Sequence, residues 1–448
     1  MGFASAVTKP AVVFFAHFSS GPVVYPPLDT LGLLFYAAFF IAVTLLTMRR
    51  AAYGACVLAF AVPFALYQDA FGETITLPKV AVLAVLLGLS AYPRAFGSLA
   101  ETAPWRILTA ALFVLAATLV SFVHAAYAGP VIRESLKAAE YILLFCAMFS
   151  AYRLDPDRRM LSTALLASAI AACILALAQE IVGSPSALLV NGHALPRIAG
   201  PLEGPNQLGG YLDVALSIAL AFAVLERRRM AQAALFLMVL ADMLTFSRGG
   251  LIGAAAAIAT VMAVARSNRG AALAPIAAGI AAGLGATILL GVIAGSLGML
   301  RWWNYESTYA GGVGTRPQLW HAAIVLWKQH PLFGVGAGYF ELDIPLTGLR
   351  GVRTHANSLY LQSLVEGGIP LFGATLWLVY VSISTFVRER LESPFVLAAL
   401  AGSIALALHQ IVDFLTFYPK IGGEWWIVLA LGAAELTVFV RVNAGACA

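Results

Sequence analysis

Five arginines in the middle and later parts of the chain are the residues best suited to chemistry. They are Arg197, Arg248, Arg316, Arg350 and Arg353. A guanidinium group is planar, permanently charged and able to bind two oxygens of one phosphate. Arginines that converge on one point would therefore bind a phosphate or diphosphate group. We predict this role for all five.

Arg248 is the most informative of them. It lies in TFSRGG, between two short apolar runs, and so at the edge of a segment that looks membrane-embedded. A charged side chain at membrane depth is costly, so it indicates a function by default. A structural pair with Asp242 or Glu203 is the other interpretation. For Arg350 and Arg353, the other interpretation is a solvated loop face.

His355 is the predicted general base. It lies in RTHANSLYLQSLVEGG, just after Arg350 and Arg353 and at the start of an apolar helix. A neutral imidazole can accept a proton from a hydroxyl group, and neighbouring cations keep it neutral by lowering its pKa. A simple polar helix cap is the alternative. His193 and His321 are the reserve candidates for the base.

Other familiar site motifs are missing or weak. There is no HExxH, no GxSxG and no cluster of histidines and carboxylates at metal-ligand spacing. The glycines of PLFGVGAGYF, residues 331–340, lack the strand and the Lys-Ser/Thr pair of a phosphate-binding loop, so we predict a tight turn there. The four cysteines show no disulfide or zinc pattern and are interpreted as small buried apolar residues.

The composition says what must hold these residues in place. Of the 448 residues, 61% are hydrophobic and only 11% are charged. A chain this poor in charge cannot cover a water-facing surface, which excludes soluble enzymes, nucleic-acid-binding proteins and disordered proteins. The continuous apolar runs fit helices rather than alternating strands. We therefore predict an all-α polytopic membrane protein.

About 12 to 14 transmembrane helices are expected. Residues 11–25 form a weaker fourteenth candidate, interrupted by Ser19, Ser20, Gly21 and Pro22. The thirteen stronger candidates are 31–48, 51–68, 77–92, 105–125, 133–151, 160–182, 207–225, 231–246, 250–265, 272–294, 368–387, 394–415 and 424–441.

The basic residues of the short connections predict the orientation. By the positive-inside rule, the face that carries most of them is cytoplasmic, and the C-terminus lies on that face. The opposite face is then periplasmic, and it holds the arginines described above. The predicted cytoplasmic set is Arg49, Arg50, Arg94, Arg106, Arg153, Arg158, Arg159, Arg227, Arg228, Arg229, Arg266, Arg269, Arg388, Arg390 and Arg441.

Two outer segments are too long to be simple turns. Residues 183–206 are rich in Gly and Pro and are predicted to be irregular. Residues 295–367 contain RPQLWHAAIVLWKQH, whose apolar stripe predicts a helix that lies on the membrane surface or caps a cavity. The predicted organisation is an N-terminal bundle over 1–294, a periplasmic loop region over 295–367 and C-terminal transmembrane helices over 368–448.

Several motifs, in this order, resemble the O-antigen ligase and polymerase superfamily. They span about residues 195–372. They are Arg197-Ile-Ala-Gly200, Gly204-Pro205-Asn206, Phe246-Ser247-Arg248-Gly249, Gly314-Thr315-Arg316 with Leu319-Trp320, His330-Pro331-Leu332-Phe333-Gly334-Val335-Gly336, and the His355 segment that runs to Glu366-Gly367-Gly368-Ile369-Pro370.

The resemblance implies a glycosyltransferase that uses a glycan linked to undecaprenyl diphosphate. The ligase branch transfers O-antigen polysaccharide to the lipid A–core acceptor at the periplasmic side of the inner membrane, without metal, nucleotide or other cofactor. Arg197, Arg248 and Arg316 fall on diphosphate-binding positions of the family. His355 falls near the family's essential histidine. Transfer would invert the anomeric configuration, with His355 as base.

The sequence departs from the family at one position. An ungapped match places Asn357-Ser358 where the family has its histidine, so His355 comes two residues early. On a continuous helix that offset is about 200°. Either the helix begins later and the ring reaches back, or the base lies elsewhere.

Three other functions remain open. A polymerase of the same superfamily is the nearest, although no outer-face arginine shows the Arg-x15-Gly spacing reported for polymerases. A protein O-oligosaccharyltransferase is the second. A membrane transporter is the third, and it would need broken or charged helices in two matching halves, which the chain does not show.

Overall fold

The computed structural model describes residues 27–70, 73–182, 186–190, 193–265, 268–293, 316–349, 354–387 and 391–446. The candidate span 11–25 and the residues Arg350 and Arg353 lie outside these ranges. Within them the chain is almost entirely helical. The helices, numbered in chain order, are α1 Thr30–Arg49, α2 Ala51–Ala61, α3 Leu77–Leu89, α4 Thr102–Val120, α5 Gly129–Leu154, α6 Arg158–Val182, α7 Pro205–Leu225, α8 Arg229–Thr245, α9 Arg248–Val264, α10 Gly270–Ile293, α11 Arg316–Gln329, α12 Phe340–Asp343, α13 Leu359–Ser384, α14 Pro394–His409 and α15 Pro419–Ala446.

The predicted all-α polytopic membrane fold is confirmed. Each of the thirteen stronger predicted spans overlaps one of these helices, although 51–68 and 394–415 extend beyond the ends of α2 at Ala61 and of α14 at His409. Among the described residues, six helices are long and apolar enough to cross a membrane: Thr30–Arg49, Thr102–His124 (α4 with the 3-10 turn that follows it), Arg158–Gln179 in α6, Pro205–Leu225, Gly270–Leu290 in α10, and Leu359–Ser384. Four more, α2, α3, α9 and α14, are apolar but shorter.

The centre of the bundle is α7. In its most apolar stretch 94% of the residues are buried, against 22% in α1 and in α10. Helices α8, α9 and α14 pack directly around α7. Peripheral helices such as α1 and α10 present leucines and phenylalanines outward, as lipid-facing helices do. Asp213 and Ser217 of α7 are therefore sealed inside the protein.

Two short antiparallel hairpins interrupt the helices. Gln68–Ala70 pairs with Glu73–Ile75, and Ser186–Val190 pairs with His193–Arg197. The second hairpin corrects the prediction that residues 183–206 are irregular throughout. The apolar SALLV run, followed by the Asn-Gly dipeptide at 191–192, is a typical hairpin signal that the emphasis on Gly and Pro content obscured.

The helix predicted over RPQLWHAAIVLWKQH is α11. Its buried face is Leu319, Ala322, Ala323 and Leu326, and this face joins a small second core with Phe340, Ile344 and Val365. Arg316 is half-buried, whereas His321 and Lys328 are exposed. The helix thus packs on α13 and holds Arg316 at its first turn.

The glycine-rich segment 331–340 forms tight turns that pack against α13. Gly334 has φ +69°, and a Cβ there would lie 2.4 Å from the Glu366 carbonyl group. Gly368 has φ +61°, and its Cβ would lie 2.2 Å from the Leu332 carbonyl oxygen. Only glycine adopts this backbone and allows this approach without strain. The motif therefore places two backbones in contact at the kink of α13.

Each Lys–carboxylate or Arg–carboxylate ion pair among the described residues joins side chains of the same predicted face. Arg50 binds Asp155 and Asp157, and Arg158 binds Glu226 and Glu435. At the other end, Lys79 binds Glu140, Lys137 binds Glu134, Arg316 binds Asp413, and Lys420 binds Glu203. Among the described residues, no Lys–carboxylate or Arg–carboxylate pair crosses from one predicted face to the other.

Candidate functional site

The segment between α14 and α15, residues 410–418, organises the candidate site. The backbone N–H of Leu359 donates to the carbonyl oxygens of Gln410 (3.0 Å) and Asp413 (3.1 Å). These bonds fix the start of α13 against the segment, which we call the 410–418 loop. The side chains of Asp413, Phe414 and Phe417 then reach the predicted site residues from this one loop.

Two of the predicted arginines meet through Asp413. Arg316 Nη2 lies 3.4 Å from Asp413 Oδ2. Arg197 donates to Asn206 Oδ1 at 2.8 Å, and the side chain of Asn206 lies next to the Asp413 carboxylate. A continuous polar chain thus runs from Arg197 to Arg316, two residues that are 119 positions apart by their numbers.

The turn that leads into Arg248 contacts Arg197. Arg197 Nε donates to the carbonyl oxygen of Thr245 at 2.7 Å, three residues before Arg248. Phe246 has φ 50°, and Ser247 then caps α9 by accepting a hydrogen bond from Gly250 N. A bulky residue in the left-handed region is strained, which is typical of a functional turn. We call Arg197, Arg248, Arg316, Asn206 and Asp413 the arginine corner.

The arginine corner has spare binding capacity. Nε of Arg316 is buried without a hydrogen-bond partner among the described residues, and the side chain is 25% exposed. The side chain of Asp413, the carboxylate partner of Arg316 among the described residues, is 5% exposed. Glu203, one suggested partner of Arg248, instead accepts from Tyr67 and pairs with Lys420. The corner therefore combines several cations with a single buried carboxylate, which suits a ligand of more than one negative charge.

His355 lies beside the 410–418 loop rather than on a helix. Its ring centroid is 3.9 Å from that of Phe417 and 5.5 Å from that of Phe414. Helix α13 begins at Leu359, and its cap is Ser358, whose hydroxyl accepts from Leu361 N. His355 is therefore not the N-cap of α13. The offset of about 200° does not apply either, because residues 354–358 are non-helical and Asn357 turns the chain with φ 49°.

The surroundings of His355 keep it neutral. Burial lowers its pKa to about 3, with a further decrease from the Lys137 ammonium group. Lys137 Nζ lies 3.8 Å from the centre of the Phe417 ring, so this ring contacts both the imidazole and the ammonium. A neutral histidine can accept a proton, but a pKa this low makes it a weak base until a substrate changes its surroundings.

A cavity of about 140 Å³ adjoins these aromatic rings. Its polar end carries Glu134, Lys137, Gln362 and Glu366, whereas its other walls are mainly aliphatic and aromatic side chains of α4, α13 and α15. Phe414 and Phe417 belong both to this cavity and to the surroundings of His355. The site thus combines fixed cations, a neutral histidine and an apolar chamber within one region.

The structure brings some of the predicted site residues together and does not describe others. Arg197, Arg316 and His355 all border the 410–418 loop or contact residues that do. Arg248 begins α9 next to Gly249, which packs against His409 at the end of α14. Arg350 and Arg353 lie outside the described residues. His321 is exposed on α11, and the side chain of His193, at the start of the second hairpin's return strand, is not described.

Asp413 and Lys137 are the residues that sequence reasoning missed. Asp413 lies inside the predicted span 394–415. A charged side chain at membrane depth is costly, so Asp413 indicates a function by the same argument as Arg248. Lys137 is separated from His355 by more than 200 residues, so no local pattern could join them. Among the described residues, no three His, Cys, Asp or Glu side chains come together as metal ligands would.

Residues 233–378 match the family model described as O-antigen ligase. This match supports membership of the O-antigen ligase and polymerase superfamily, whose members are glycosyltransferase-like enzymes. The matched region includes Arg248, Arg316 and His355, whereas Arg197 and Asp413 lie outside it. No curated protein matches the chain closely enough to count as a relative.

Proposed function

We propose that the protein is an O-antigen ligase that transfers polysaccharide from undecaprenyl diphosphate to lipid A–core. The observation that supports this most directly is the arginine corner, where Arg197 and Arg316 are linked through Asn206 and Asp413 and the turn into Arg248 contacts Arg197. A lipid-linked diphosphate has anionic phosphates, which arginines can bind, and a hydrocarbon chain, which suits an apolar cavity such as the one lined by Phe414 and Phe417. The match to the O-antigen ligase family model supports the same reaction class.

In the proposed mechanism the arginines bind the donor diphosphate. They stabilise the negative charge that develops as the bond from the anomeric carbon to the phosphate oxygen breaks. The diphosphate leaves with the electron pair of that bond. The acceptor hydroxyl oxygen attacks the anomeric carbon from the opposite face, so the configuration inverts. His355 takes the hydroxyl proton, and Arg350 and Arg353 are proposed as further phosphate contacts.

The low pKa of His355 fits this role when the donor is bound. An anionic diphosphate held nearby offsets the effect of Lys137 and favours the protonated imidazole. The base would then strengthen once its substrate is in place. The sugar–phosphate bond needs no general acid because diphosphate is already a stable leaving group.

The proposed location is the bacterial inner membrane. Six long apolar helices among the described residues make the protein multi-pass. The positive-inside rule places the ion-paired set around Arg50 and Arg158 in the cytoplasm, together with the C-terminus. The arginine corner then faces the periplasm, where lipid-linked glycans are consumed.

A deletion strain tests the function. Loss of polymer from lipid A–core, with lipid-linked polymer accumulating, is the result expected of a ligase. Lipid A–core that carries single repeat units instead would identify a polymerase. Intact polymer on lipid A–core, with glycan missing from periplasmic proteins, would identify a protein O-oligosaccharyltransferase, and an unchanged glycan profile would leave the transporter.

The purified protein provides a second test. Transfer from lipid-linked donor to lipid A–core should continue in excess chelator and without nucleotide, because the proposed chemistry depends on arginines and a histidine. Complete inhibition by chelator that one added divalent ion reverses would refute the metal-independent mechanism while leaving the ligase assignment in place.

A further inference from the structure

A buried histidine–carboxylate pair lies below the arginine corner. His409 is the last residue of α14, and Asp213 lies in the middle of α7. The imidazole Nδ1 is 2.6 Å from Asp213 Oδ2, and the two side chains are 1% and 0% exposed. A single hydrogen bond between Nδ1 and Oδ2 therefore joins the two side chains.

The pair supports the first turns of α9, the helix that begins with Arg248. A Cβ on Gly249 would lie 2.4 Å from the His409 ring, and a Cβ on Gly253 would lie 2.3 Å from Asp213 Oδ1. A Cβ on Gly250, which lies between these two glycines in the sequence, would be 2.8 Å from Asp242 Oδ1. The glycine face of α9 therefore rests directly on three polar side chains.

This packing is unusual for the interior of a membrane bundle. His409 Nε2, Asp213 Oδ1 and Asp242 Oδ1 are all buried, and none of them has a hydrogen-bond partner among the described residues. Well-packed apolar side chains would serve stability as well as a buried polar pair does, whereas the polar pair fixes one arrangement through its directional bond. The buried pair is therefore better explained by a role in fixing how the helices pack than by a contribution to the stability of the fold.

The same pair adjoins the 410–418 loop. Val412 N donates to the carbonyl oxygen of His409 at 3.1 Å, one residue before Asp413. The ring of His409 thus contacts α9, the helix that starts at Arg248. The backbone of His409 begins the turn that carries Asp413. Both sides of the arginine corner depend on where this one residue sits.

We propose that His409 and Asp213 are positioning residues that set the spacing between Arg248 and the Asp413-bound Arg316. The proposal rests on the proposed function, since that spacing matters because the arginines bind one diphosphate. His409 is not itself the base, because its ring is sealed between α9 and α7 and an acceptor hydroxyl cannot reach it. Its effect on transfer passes through Arg248.

The test of that path is an epistasis measurement in the full-length protein. His409→Ala should lower kcat/KM for ligation by about 10²-fold, the effect of a misplacement near 1 Å. In an Arg248→Lys background, the same substitution should cost less than about 3-fold, because an ammonium group lacks the fork geometry that makes precise placement matter. His409→Asn, whose amide can still donate to Asp213, should restore most of the loss. An equal loss in both backgrounds, or no rescue by Asn, would overturn the proposal.

Ser217→Ala is the matched control. Ser217 is fully buried one helical turn beyond Asp213 on α7 and bonds to Ala398 of α14, yet it is not in contact with the glycines of α9. Its removal should change kcat/KM by less than about 2-fold in either background.

A structural readout separates this proposal from the ligase assignment. Hydrogen exchange of the purified variants should accelerate in residues 245–251 and 410–413 for His409→Ala and for Asp213→Asn, but not for Ser217→Ala. This result is expected even if the wild-type protein ligates nothing, in which case the proposed function fails alone. Unchanged exchange in those two segments, or acceleration spread equally over all of α7, α9 and α14, would overturn the positioning role.

Discussion

The arginine corner and the His409–Asp213 pair are neighbouring polar clusters that differ in access and in balance. In the corner, Arg316 is one quarter exposed and keeps an unused donor, and cations outnumber carboxylates. The pair is sealed, and its histidine and carboxylate hydrogen-bond to each other at 2.6 Å, although His409 Nε2 and Asp213 Oδ1 have no further partner among the described residues. The difference teaches that polar groups in one membrane protein serve two purposes. A solvent-accessible cluster with excess positive charge can bind an anionic ligand, whereas a buried hydrogen-bonded pair fixes how the helices pack.

The largest effect should follow from removing a cation of the arginine corner. Arg316→Ala or Arg248→Ala should lower transfer by about 10³–10⁵-fold, the range found where an arginine stabilises charge on a transferring phosphate. Lysine at either position should rescue poorly because it lacks the planar fork. Transfer to lipid A–core, measured with membrane insertion checked by immunoblot, decides this.

Arg106→Ala is the control for the arginines. This residue bonds to Ser384 and belongs to the predicted cytoplasmic set, so its removal should leave transfer unchanged. Near-normal transfer by both corner variants would contradict the division into a solvent-accessible cluster and a buried pair.

The next effect concerns His355, which lies beside the arginine corner, against the rings of Phe414 and Phe417. His355→Ala should lower turnover by about 10²–10⁴-fold, as expected for loss of a general base, with donor binding largely retained. The measurement is single-turnover transfer together with donor affinity. If His355→Ala keeps its activity while His193→Ala or His321→Ala loses it, the base has been misassigned.

A smaller effect tests the backbone contact at the kink of α13. Gly334→Ala should destabilise the protein by about 1–3 kcal/mol or more, because the new Cβ meets the Glu366 carbonyl group in a left-handed backbone. Thermal unfolding of the purified protein measures this. Gly373→Ala, in the same helix as Glu366 but facing open space, should be neutral or slightly stabilising.

The smallest effect should come from Lys137, which lowers the pKa of His355 and contacts the same Phe417 ring. Lys137→Gln removes the cation, so the pKa of His355 should rise. A base works only when neutral, so the acid side of the pH–rate profile should move to higher pH, by about one unit at most. Lys328→Gln, an exposed change on α11, should not move it. A shift to lower pH would contradict the assignment of His355 as base.

Much of the fold could be predicted because membrane helices leave a strong local signal. The thirteen predicted spans needed only apolar run length and the positions of the breaks, and all overlap helices. The tight turn at Gly334 and the amphipathic helix at Arg316 were equally local. Hairpin 186–197 was missed because Gly and Pro content was weighed above its Asn-Gly signal.

The candidate site was only partly predictable. Residue type and unusual position identified Arg197, Arg248, Arg316 and His355, since a charge in an apolar context needs an explanation. Asp413 was hidden inside an apolar run, and Lys137 and His409 had no distinguishing local pattern. Their roles depend on contacts across 97 to 218 residues of chain, which are the separations from Asp413 to Arg316 and from His355 to Lys137.

The sequence by itself determined that this is a helical membrane protein with arginines and a histidine available for phosphate chemistry. These follow from hydropathy and from the cost of burying charge, both of which act on short stretches of chain. Only the tertiary structure decided which charges share a site. The packing of α7, α9 and α14 puts His409 against Asp213 and Gly249, and the 410–418 loop joins Arg197, Arg316 and His355, because complementary surfaces of distant helices, and not neighbouring residues, fix where side chains meet.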